Sequence, residues 1–171
     1  MNHTSLDFIK NYFTQEKIES VFFILIGLVA ISFALINLFI IKYSFYKGLA
    51  YPLLMIGLIQ IGVGTTSYSR SSKDMIRVEH FVKMDTQKIH TEEIPRMEAA
   101  IENFFLYKWI EIATLLSGIV LFFYCKNSLH VFWKGIGLGL VIQATLMISL
   151  DSVAEKRSII YLKQLHVSTK I

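Results

Sequence analysis

The chain has 171 residues, 54% of them hydrophobic and only 18% charged, with a formal net charge of +4. A water-soluble fold of this size must cover its surface with polar groups. This composition, with its uninterrupted apolar segments, excludes that and points to an integral membrane protein without a separate soluble catalytic domain. The lysines and arginines flank the apolar runs, where they suit lipid headgroups, so membrane lipid is expected as a partner and nucleic acid is not.

Residues 1–19 are polar but patterned. Ser5 suits a helix N-cap, and Leu6, Ile9 and Phe13 follow helical spacing. The first predicted span covers about residues 20–41 and holds one strongly polar residue, Asn37. It is too long for the apolar core of a cleavable leader and is expected to stay as a span. A short basic and aromatic connection leads to the second span, about residues 49–67, with Pro52 in its first turn, where a missing N–H costs little.

Residues 68–104 are polar yet do not read as a loop. Met75, Val78, Val82 and Ile89 lie near a three-to-four spacing, Thr91 suits an N-cap, and Glu92, Glu93 and Pro95 suit a first helical turn. Ile94, Met97, Ile101 and Phe104 or Phe105 carry the stripe into a third span, about residues 106–124. The second and third spans are therefore expected to project beyond the bilayer as a helical hairpin turning near Gln87–Thr91. A fourth span, about residues 131–150, ends at Asp151 and continues into an amphipathic tail with Ile159, Leu162 and His166 on one side. Each span is close to the ~20 residues that cross the hydrocarbon core.

The predicted fold is thus an all-α integral membrane protein with four transmembrane helices arranged as two tandem hairpins, and with helices extending beyond the bilayer on one side. Residues 1–104 hold the first membrane hairpin and the extramembrane helical hairpin. Residues 105–171 hold the second membrane hairpin and the C-terminal helix, and together they form one compact unit. An internal repeat supports the pairing. A shift of 87 residues aligns Phe45 with Phe132, Lys47 with Lys134, Gly48 with Gly135, Leu53 with Leu140, Ile61 with Ile148, Arg70 with Arg157 and Ser71 with Ser158. The first and third spans align when the gap lengthens by four, matching Lys17 with Lys108, Gly27 with Gly118 and Val29 with Val120. Two spans per copy would make this a parallel repeat.

Four spans put both termini and residues 68–104 on one side. That side carries most of the basic residues, which favours cytoplasmic termini, although the short connections with Lys42, Lys47, Lys126 and Lys134 are purely basic. A compact chain of this kind fits a bacterial inner (plasma) membrane.

Polar groups inside spans are costly in lipid and are the first candidates for function. Gln60 and Gln143 lie near the middle of spans two and four. Gly57 and Gly64 share a helix face with Gln60, as Gly135 and Gly139 do with Gln143. Glycines let backbones approach and an amide can bond across the contact, so interhelical bonding is the plain expectation and a polar path the sharper one. Glu111 and Asp151 fall at the edge of spans three and four, near Lys108, Arg157 and Arg70, as an ion-pair layer or, more sharply, a proton or cation relay or an acidic catalytic pair.

The single cysteine, Cys125, allows no internal disulfide and no CxxC site, and the five histidines lie outside the spans without metal-ligand spacing. No metal, cofactor or catalytic residue is assigned. Glu92-Glu93-Ile94-Pro95-Arg96 departs from the paired-glutamate motif of intramembrane CAAX-type proteases, because the arginine is one residue too close and the spans lack histidine. The leading expectation is a non-enzymatic scaffold or accessory subunit that binds itself or a membrane-protein partner through its extramembrane helices. A small oligomeric channel or transporter with a path at Gln60 and Gln143 is the alternative, and an intramembrane enzyme using Glu111 and Asp151 the second.

Overall fold

A computed structural model describes residues 3–41, 43–125 and 130–169. Lys42, Lys126 and Lys170 and the side chains of His3 and Ser5 lie outside the described residues. The described chain is all helical: α1 His3–Ile36, α2 Ser44–Met84, α3 Ile94–Tyr124 and α4 Val131–Thr169, with π-helical segments at Asn37–Ile41 and Ile89–Glu93. All four helices are long and apolar enough to cross a membrane.

The helices are far longer than the spans within them, because amphipathic stripes continue where the apolar runs stop. This corrects several boundaries. The first helix is already formed at His3, upstream of Ser5, so Ser5 is not its cap. Pro52 lies inside α2, two turns from its start at Ser44, and its missing N–H leaves the Gly48 carbonyl without the usual i+4 donor. The turn between the second and third helices comes early, at Asp85–Thr86. Thr91 is not a cap. It sits within the second π segment, its hydroxyl donating to the Gln87 carbonyl at 3.3 Å. Pro95 does lie in the first turn of its helix.

α1 packs on α2 and α3 on α4. The two hairpins meet along α2 and α4, which run parallel, while α1 touches α4 more lightly. Along this seam the contacts are reciprocal. A methyl group on Gly48 would strike the Phe132 carbonyl, and one on Gly135 would strike the Phe45 carbonyl. Gly48 and Gly135, and Phe45 and Phe132, are equivalent under the 87-residue shift. The seams within the hairpins are less alike. A methyl on Gly27 would lie 2.8 Å from the Gly57 carbonyl, and one on Gly118 2.8 Å from the Gly137 carbonyl. The shift would map Gly57 to Ala144 rather than Gly137, so the two hairpins cross at different depths.

The bundle has an apolar half and a polar half with separate cores. In the apolar half Ala30, Ala34, Leu49, Ala50 and Leu53 are buried at the α1–α2 contact, and Leu138 of α4 packs against them. In the polar half Ile9, Tyr12 and Phe13 of α1 meet Val78, Phe81 and Val82 of α2, Ile89, Ile94 and Met97 around the start of α3, and Tyr161 and Leu165 of α4. The C-terminal stripe is therefore rotated from its predicted face. Tyr161 and Leu165 are buried and Leu162 is half-buried, while His166 is exposed. The N-terminal stripe gains Tyr12, which stacks on Tyr161 with ring centroids 4.0 Å apart.

Candidate functional site

Two sets of buried polar groups sit in this bundle, one at the centre of the apolar half and one where the two halves meet and beyond. The first is small. Gln60 and Gln143 are both fully buried, and the Gln60 Nε2 donates to the Gln143 Oε1 at 3.3 Å. The same nitrogen lies 3.5 Å from the Met147 sulfur. Gln60 Oε1 and Gln143 Nε2 keep no hydrogen-bond partner among the described residues. The glycines around them serve different seams. Gly57 and Gly64 admit α1, a methyl on Gly64 lying 2.9 Å from the Ser20 carbonyl. Gly135 and Gly139 admit α2, a methyl on Gly139 lying 2.9 Å from the Leu49 carbonyl.

Asn37 is fully buried but does not join the glutamines. Its Nδ2 donates to the carbonyl of Phe33, four residues back, at 2.7 Å. In a regular α-helix that carbonyl would accept from the Asn37 backbone N–H, and the wider π segment begins at this residue.

The second set is extensive. Glu93 is fully buried and accepts from Arg96 at 2.6 and 2.9 Å and from the Tyr161 hydroxyl at 3.2 Å. Arg77 approaches it at 3.5 Å. Asp74 on α2 pairs with Arg77 at 3.1 Å and with Arg96 at 3.2 Å, joining α2 to α3. Removing one member of such a buried pair typically costs 3–5 kcal/mol, because the other charge is left uncompensated. Burial alone would pull the Arg96 guanidinium down, but Glu93 and Asp74 beside it more than offset this and hold it above its ordinary value. Burial and the neighbouring Glu93 push the Tyr161 hydroxyl up, and Arg96 opposes them only in part.

Closer to the apolar half, Arg157 on α4 pairs with Glu19 on α1 and lies over the Tyr12 ring at 5.2 Å. Arg70 on α2 reaches Glu16 at 3.9 Å and Asp74 at 3.8 Å, and Lys108 on α3 meets Glu155 on α4 at 2.5 Å. The five charges predicted to cluster therefore divide. The three cations take Glu16, Glu19, Asp74 and Glu155. Glu111 and Asp151 instead face each other across the α3–α4 seam, and neither oxygen of Glu111 has a hydrogen-bond partner among the described residues.

Sequence reasoning missed Glu16, Glu19, Asp74, Arg77 and the tyrosines, and weighed Glu93 and Arg96 only as a helix start and a departing protease motif, not as a buried pair. One signal was available, since Asp74, Arg77 and Val78, like Glu93, Arg96 and Met97, put charge on the same helical face as a core residue. No group of three or more histidine, cysteine or acidic residues could hold a metal ion among the described residues. Cys125 is buried at the end of α3.

The fold and these sites define a class: an all-helical protein whose four helices are long and apolar enough to cross a membrane and continue into a polar bundle. No protein-family model, curated protein or solved structure matches the chain.

Proposed function

We propose that the chain is a non-enzymatic multi-pass membrane protein, a scaffold or accessory subunit that binds itself or another membrane protein through the polar half of its bundle. One observation carries this reading: the helices run unbroken from an apolar zone into a second, internally packed core braced by buried ion pairs. Such a projection is rigid and presents fixed surface. On it Ile76 and Met84 of α2 and Val153, Ile160 and Val167 of α4 are exposed, the last three at seven-residue spacing. Rigid exposed aliphatics of this kind suit contact with another helix.

Lipid around the apolar half accounts for the rest of the surface. Phe22, Leu25, Val29 and Phe33 of α1, and Trp109, Leu116, Val120 and Phe123 of α3, are exposed. In water they would form an aggregating patch; in a bilayer they face acyl chains. The basic-residue count favours a cytoplasmic polar half and cytoplasmic termini, and we take the membrane to be a bacterial inner membrane. The reciprocal Gly48–Phe132 and Gly135–Phe45 contacts support descent from a duplicated two-helix unit. The mutual bond of Gln60 and Gln143 speaks for interhelical packing rather than a polar path through one copy.

The test combines Ile160→Lys with Val167→Lys in the full chain. The expected result is a protein that resists alkaline extraction from membranes and melts as the wild type does. Its assembly mass in detergent, measured by light scattering, falls by one or more chain masses or loses a co-purifying membrane protein. Identical masses and associates in wild type and variant would overturn the reading.

A further inference from the structure

Glu111 is 7% exposed, both its carboxyl oxygens are buried, and neither has a hydrogen-bond partner among the described residues. The cations that could neutralise it are committed elsewhere. Lys108, one turn before it on α3, is held by Glu155 at 2.5 Å; Arg157 is held by Glu19, and Arg70 by Glu16 and Asp74. α3 packs on α4, and from α4 the groups that bear on this place are Asp151, facing Glu111, and Glu155, one turn further on. Among the described residues, the charged groups bearing on Glu111 are thus the occupied Lys108 and the carboxyl of Asp151, which has Glu155 beside it in turn.

Two ionised carboxylates cannot share such a place cheaply. A buried carboxylate without a partner is strongly disfavoured, and a like charge beside it adds to that. Proton uptake relieves both costs, since one carboxyl becomes neutral and donates its O–H to the other. Asp151 is half-buried and marks the boundary where the apolar run of α4 gives way to Glu155, Lys156 and Arg157, so the pair borders the polar side.

We propose that Glu111 and Asp151 form a proton-binding site, one proton held between two carboxyl groups at the edge of the apolar zone and exchanged with the polar side through Asp151. The step is simple: a proton from water joins one carboxylate oxygen, no other bond changes, and the pair passes from two negative charges to one. This goes beyond a scaffolding role and does not depend on it. A protein without any binding partner would still hold the proton.

The test uses dicyclohexylcarbodiimide, an apolar reagent that adds to a protonated carboxyl and leaves a stable acylurea of known mass. It is applied to the full-length protein in native membranes and read by peptide mass spectrometry, with the infrared band of a protonated carboxylic acid recorded on the same protein. Near pH 7, Glu111 is expected to carry the label, to lose it progressively toward alkaline pH, and to show the matching band. Glu111→Gln abolishes both signals. Asp151→Asn removes the like charge and moves the loss of label toward acid. A band without label still supports the site. Absence of both overturns it, and so does a Glu111 profile that Asp151→Asn leaves unmoved.

Discussion

At the scale of single residues, burial beside the helix interfaces governs the titration of Glu16 and Glu19. Glu16 and Glu19 lie on one face of α1. Burial pushes both carboxyls above their ordinary 4.5, while Ser71, Arg157 and Arg70 around Glu16, and Arg157 beside Glu19, only partly oppose it. The folded protein therefore holds these protons more tightly than the unfolded chain does. Their contribution to stability is complete below the ordinary carboxyl value and is lost as pH rises through the raised values. Glu79 runs the other way. Lys83 and Lys10 draw it down, so its small contribution is present above the ordinary value and lost as pH falls. The expected outcome is a melting temperature that declines from about pH 5 toward pH 7, and declines less in Glu16→Gln, followed by circular dichroism in detergent. An equal decline in both proteins would remove Glu16 from this account. Buried charge of this kind was hard to read in advance. Glu16 and Glu93 look like ordinary solvated helix residues until Arg70 and Arg157 arrive at Glu16, and Arg77 and Tyr161 at Glu93, from other helices.

At the scale of elements, the helices were legible because apolar spacing and apolar length both persist over many turns, so three predicted spans fall within α2, α3 and α4 and the first runs from α1 through the π segment to Ile41. Their ends were less so. Thr91 and Ser5 have the chemistry of caps, but packing of the neighbouring stripes carries the helices past them. Glycine roles were legible as a type and not as a partner, since spacing puts Gly57 and Gly64 on one face without saying that α1 occupies it. This yields a sharp comparison. Ala at Gly48 or Gly135 places a methyl against a backbone carbonyl of the opposite helix, which cannot move aside as a side chain can. Each substitution is expected to cost about 1–3 kcal/mol, as overpacking does. Gly62 has nothing within 4 Å of the added methyl. Gly62→Ala should be neutral or gain up to about 1 kcal/mol from helix propensity. Reversible unfolding in mixed detergent micelles reads the difference, and equal costs at Gly48 and Gly62 would show that the α2–α4 seam is loose enough to admit a methyl group.

At the scale of the molecule, the architecture follows from where each hairpin leaves apolar surface uncovered. Neither hairpin closes its own polar-half core. Residues through Val82 supply Ile9, Tyr12, Phe13, Val78 and Phe81, while those from Ile89 supply Ile94, Met97, Tyr161 and Leu165. The same division holds in the apolar half, where Gln60 bonds Gln143 and the Gly48 and Gly135 backbones approach the opposite helix. The aligned spans suggested two hairpins, and α1 does pack on α2 and α3 on α4, but which helices form the seam between them was not legible. Phe45 and Phe132 look like interfacial anchors, and only the assembled bundle puts their carbonyls against Gly135 and Gly48. A chain break at the turn between Asp85 and Thr86 separates these halves without cutting a helix. Fragments 1–85 and 86–171, expressed together with a tag on the first only, are expected to co-purify from detergent extract with the helical content of the intact chain. Each alone would expose half a core and the α2 or α4 seam, and should be recovered in low yield or aggregated. Gly48→Ala in the first fragment should weaken recovery of the second, since a break makes association depend on contact energy without the tether's effective concentration. Two fragments that each fold separately and ignore one another would mean that the α2–α4 seam does not hold the molecule together.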